Sequence, residues 1–69
     1  MLYNVYTPKL GYVVKNVPYD VAREKMQPFY EKLDDVSIRF SDFMRGVEVW
    51  APDDNGGRAM VCRIEQAKD

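Results

Sequence analysis

Residues 18–33 read PYDVAREKMQPFYEKL, and this stretch decides the fold. Ala22, Met26, Phe29 and Leu33 recur at helical spacing, with Tyr30 at the edge of the stripe. Arg23, Glu24, Gln27, Glu31 and Lys32 fall on the opposite, polar side. Pro18 and Asp20 open the segment: Pro suits the entry to a helix, and Asp accepts from the free N–H groups of the first turn. The pattern predicts a helix from about Asp20 to Leu33. Pro28 removes a backbone donor and crowds the preceding turn, so a kink or a split into two short pieces is expected there.

Outward from this segment the period changes from helical to two. Leu2–Tyr6 and Tyr12–Val17 are aromatic and β-branched, and Thr7-Pro8-Lys9-Leu10-Gly11 between them carries turn chemistry, so residues 2–17 read as a hairpin. After the helix, Val36, Ile38 and Phe40 alternate with Ser37 and Arg39. Val47 and Val49 alternate with Glu48 and Trp50, and Met60, Cys62 and Ile64 alternate with Ala59, Val61 and Arg63. Residues 52–57, Pro-Asp-Asp-Asn-Gly-Gly, are the strongest turn signal in the chain. The order is β-β-α-β-β-β. One helix covers one face of a sheet, so the expected class is α+β in two layers, a single helix on a mainly antiparallel four- to five-stranded sheet. The whole chain, 1–69, is read as one small domain with a frayed tail near 66–69.

Strict alternation assigns the two faces. Tyr3, Val5, Val36, Ile38, Phe40, Val47, Val49, Met60, Cys62 and Ile64 are placed toward the helix, which puts Tyr6, Arg39, Trp50, Val61 and Arg63 on the other side. The second strand is ambiguous, because Tyr12/Val14 and Val13/Val17 compete for the inside. A bare face carrying Trp, Tyr and Arg has the composition of a binding hot spot. Tyr6, Arg39, Trp50 and Arg63 are therefore the first candidate binding residues; whether Lys15 joins the two arginines depends on how the fold sets the second strand. Phe43, Met44 and Arg45, in the connection after the third strand, form a second candidate.

Composition narrows the chemistry. The 69 residues include no His and one Cys, with ten Lys and Arg against eleven Asp and Glu. Without His the usual neutral-pH acid/base is missing, and one Cys excludes an internal disulfide. Cys62 sits among alternating apolar residues and reads as a core thiol. Asp53-Asp54-Asn55-Gly56 echoes a calcium loop. Counted from Asp54, however, the ligand positions three and five fall on Gly56 and Arg58, which supply no carboxylate. No catalytic residue, metal or cofactor is assigned. A net charge of −1 and the absence of a Lys/Arg block disfavour a nucleic-acid partner. No apolar run reaches membrane-spanning length and no signal peptide is read, so the expected setting is cytoplasmic and away from membranes.

Residues 12–20, Tyr-Val-Val-Lys-Asn-Val-Pro-Tyr-Asp, resemble the first motif and strand-to-helix junction of RNA-recognition motif domains. Arg45-Gly46-Val47-Glu48-Val49 echoes the start of their second motif. The resemblance implies single-stranded RNA bound on the sheet by stacked rings. The positions where that family places its rings fall here on Val13, Val47 and Val49, and a Gly-rich turn replaces its second helix. A small nucleic-acid-binding domain is therefore the alternative reading. The leading one is a non-catalytic protein-binding module. Such short chains are common among phage and mobile-element accessory proteins that inhibit a host or defence protein by steric occlusion. A core this small gains from added cover, so a larger protein partner, self-association as a homodimer, or both are expected.

Overall fold

The computed structural model describes residues 1–41 and 45–68. Its elements are β1 (Tyr3–Thr7), β2 (Gly11–Val17), α1 (Tyr19–Met26), a 3-10 turn (Gln27–Phe29), β3 (Ser37–Ser41), β4 (Gly46–Pro52) and β5 (Arg58–Gln66). The five strands form one antiparallel sheet in the order β2-β1-β5-β4-β3, with α1 packed on one face. The β1–β2 hairpin and the β3–β4–β5 meander are joined where Tyr3 faces Gln66 and Tyr6 faces Arg63.

The turns follow their residues. Thr7 Oγ1 accepts the Leu10 N–H at 2.9 Å, and Gly11 takes a φ of 78° to re-enter the ladder. Asp53 Oδ1 accepts from the N–H of Asn55 and of Gly57, at 3.0 and 2.9 Å, which closes the β4–β5 hairpin. Residues 53–56 thus act as a hairpin turn.

The helix is shorter than its apolar period suggests. It ends at Met26, and Pro28 lies in the first positions of the 3-10 turn, where its missing N–H leaves no gap in the helical ladder. Leu33 lies beyond the helix and is exposed. Asp20 is not the cap: Pro18 holds that position in extended geometry, and Asp20 sits in the first turn, where its charge meets the helix dipole.

Val5, Ala22, Met26, Val47, Val49, Cys62 and Ile64 form the buried core, with Tyr3, Val14, Val17, Phe29, Tyr30, Val36 and Val61 packed around it. Two irregularities change the expected faces. Val49 faces Cys62 while Trp50 faces Met60, so the ladder takes in an extra residue on β5. Beyond that bulge the alternation is reversed. Met60 joins Trp50 on the open face, and Val61 turns toward the core, the opposite of strict alternation. In β2 two register shifts let both Val14 and Val17 face inward, opposite Val5 and Tyr3, while Tyr12 pairs with Tyr6 on the open side.

The helix also fails to reach the far edge. α1 packs on β1, β2 and β5. Ile38 and Phe40 pair with Val49 and Val47, which places them on the helix side, yet they are 42% and 78% exposed. They were expected in the core and lie outside its cover. At the other end, β5 runs through Gln66, and the Ala67 N–H bonds to the Leu2 carbonyl at 2.9 Å, so order extends past the start of the expected frayed tail. Among the described residues no helix is long and apolar enough to cross a membrane.

Candidate binding face

The uncovered face carries one continuous row. Tyr12 on β2 faces Tyr6 on β1, Tyr6 faces Arg63 on β5, Arg63 faces Glu48 on β4, and Glu48 faces Arg39 on β3. The row crosses all five strands. Trp50 and Glu65 lie two residues along β4 and β5 from it, on the same face.

On this face Tyr12, Tyr6 and Trp50 each carry a cation. Lys15 Nζ lies 4.4 Å from the Tyr12 centroid, the Arg63 guanidinium 4.5 Å from Tyr6, and the Arg39 guanidinium 5.2 Å from Trp50. Such contacts contribute about 0.5–1 kcal/mol each at exposed sites. Tyr6 and Tyr12 meet edge to face at 5.2 Å. Glu65 ties two members together: Arg63 Nε donates to Oε1 at 3.0 Å, and the Tyr12 hydroxyl donates to Oε2 at 2.9 Å. That hydrogen bond is the main reason the Tyr12 phenol is held above its ordinary pKa. Trp50 Nε1 donates to Glu48 Oε1 at 3.4 Å. These contacts hold the side chains of the face against one another.

Arg58 stabilises the β3 end of the same face. Its Nη2 donates to the Asp35 carbonyl at 2.7 Å and to Ser37 Oγ at 2.8 Å, and its Nη1 lies 3.4 Å from Asp35 Oδ2. One guanidinium thus joins the end of the β4–β5 hairpin to the entry of β3.

Of the expected binding residues, Tyr6, Arg39, Trp50 and Arg63 share this face. Arg45 does not belong to the row: it is exposed in the turn before Gly46, with a φ of 49°. Phe43 and Met44 lie outside the described residues. Sequence reasoning did not assign Tyr12, Glu48, Glu65 or Met60 to this face. The β2 and β5 irregularities set the faces of Tyr12 and Met60, and they depend on pairing between strands. Glu48 and Glu65 carry only the alternation signal.

Among the described residues, shallow grooves flank the sheet. One, of about 390 Å³, lies at the β2 end of the row beside Tyr12, Lys15, Asn16 and Glu65. Another, of about 440 Å³, lies on the helix side between Leu10, Phe29 and Val61. Among the described residues no three His, Cys, Asp or Glu side chains gather as a metal site would require. No protein-family model matches this chain, and neither does any curated protein or any solved structure.

Cys62 is fully buried, and burial pushes its thiol from an ordinary 9.0 up to about 11. The unfolded chain therefore loses this proton at lower pH than the folded one. Between those two values stability falls as pH rises, by at most about 1.4 kcal/mol per unit. Urea unfolding of the wild type and Cys62→Ala across this range checks it. The variant should show the shallower decline, and equal slopes would contradict the buried thiol.

Proposed function

We propose that this chain is a non-catalytic protein-binding module that docks on a larger protein through its open sheet face. The observation that supports this reading is the row in which Lys15, Arg63 and Arg39 each lie on a ring of the same chain. Large aromatics and arginines dominate binding energy at protein interfaces. Holding them in place beforehand lowers the entropy cost of docking. Trp50 and Tyr6 anchor, while Arg39 and Arg63 orient against acidic groups of the partner. The action is steric: an 8.1 kDa domain occupies a surface that the partner needs. An accessory inhibitor of a host or defence protein in the cytoplasm, of the phage or mobile-element kind, is the role this reading gives it.

The charge balance favours a protein over a polyanion. Glu48 and Glu65 lie among the three cations, and Arg63 is already paired with Glu65 at 3.0 Å. A nucleic-acid platform needs ring faces free for bases. Here one face of each ring is taken. Val47 and Val49, which the RNA-recognition resemblance would place on the sheet's binding side, are buried beneath the helix layer.

Affinity capture from the source cell with wild type and Trp50→Ala tests the reading. The variant should keep a cooperative unfolding transition and bind the captured protein about thirtyfold more weakly, or worse. Unchanged affinity would remove this face from consideration. Binding to single-stranded RNA that weakens steeply with salt would favour the nucleic-acid reading instead.

A further inference from the structure

The two edges of the sheet differ. β2 is interrupted by two register shifts, with Asn16 at a φ of 58° and its N–H bonded to Asn4 Oδ1. Such irregularity keeps an edge from pairing with another chain. β3 has none of it. Its ladder with β4 runs unbroken from Ser37 to Ser41, it contains neither Pro nor Lys, and among the described residues no strand lies beside its outer backbone groups. Ile38 and Phe40 stand uncovered on its helix side.

An edge with free backbone donors and acceptors takes an extended strand, and this edge is complementary to itself. Val36, Ile38 and Phe40 project to the helix side, and Ser37 and Arg39 to the open side. We propose that β3 pairs antiparallel with β3 of a second copy about a two-fold axis at Ile38. Ile38 then faces Ile38 of the second copy, Val36 faces Phe40, and Ser37 faces Arg39. Apolar side chains meet on one side and no like charges are opposed. Centring the axis on Arg39 would set two guanidiniums against each other. The resulting ten-stranded sheet keeps both open faces on one side and leaves both aromatic–cation rows free. The dimer thus uses a surface distinct from the docking face proposed above.

Sedimentation equilibrium from about 10 µM to about 1 mM reads the association, a range suited to an interface of small area. The mass should rise from 8.1 kDa toward twice that value. Phe40→Lys, at a position 78% exposed, should weaken association at least about tenfold with an unchanged urea midpoint. Ile38→Cys tests the axis separately. Opposed cysteines at a two-fold axis lie within disulfide reach, so mild oxidation should give a covalent dimer, whereas Arg39→Cys should not. A chain that stays monomeric throughout, a dimer indifferent to Phe40→Lys, or crosslinking through Arg39→Cys in place of Ile38→Cys would each overturn the proposal.

Discussion

Gly46→Ala is expected to lower the unfolding free energy by about 3 kcal/mol or more, a large share of what a domain this small can hold. Gly46 opens β4, paired with Ser41 on β3, and the Ile64 carbonyl of β5 occupies the space where a side chain would begin. A Cβ there would fall inside that carbonyl oxygen, with the Glu65 Cα close behind. The obstacle is backbone, which cannot rotate aside as a flexible side chain can. β4 must lift from β5 at the point where Val47 and Ile64 enter the core. Urea denaturation followed by circular dichroism would measure the loss. A midpoint unchanged from wild type would mean that the two strands do not approach this closely.

The second large effect is expected at Met26. Its side chain is fully buried and is among the largest in the core. It closes the last turn of α1 over the sheet, and Pro28 stops the helix from supplying another turn. Met26→Ala should cost about 2–5 kcal/mol, while Met26→Leu, of similar volume, should cost less than about 1.5. Comparable losses for the two variants would indicate that shape and not burial governs this site. A loss below about 1 kcal/mol for Met26→Ala would mean that α1 contributes little to holding the sheet.

Much of the fold is legible from period alone. Val47 and Val49, and Cys62 and Ile64, alternate cleanly and are buried as alternation requires. The same rule separates Tyr6, Arg39, Trp50 and Arg63 from them. It fails where pairing inserts a residue. Met60 and Val61 exchange faces because Val61 is the extra residue opposite β4, a property of two strands that neither strand's sequence carries. Val14 and Val17 are three apart and both face inward, which no two-residue period allows. Ile38 and Phe40 have the right parity but stay uncovered, because α1 packs on β1, β2 and β5, toward the opposite edge of the sheet. Tyr12 and Lys15 join the face only through the shifts in β2. The ties made by Glu65 and by Arg58 depend on side chains reaching across strands, beyond what alternation encodes.

Trp50 is the sole tryptophan in the chain, so its fluorescence reports on the proposed docking face without any label. Acrylamide quenching, measured on the free chain and again in complex with the captured protein, separates a buried ring from an accessible one. Efficient quenching when free and strong protection when bound is the outcome expected of an anchor at the centre of an interface. Quenching that persists undiminished in a tight complex would show that the partner sits elsewhere.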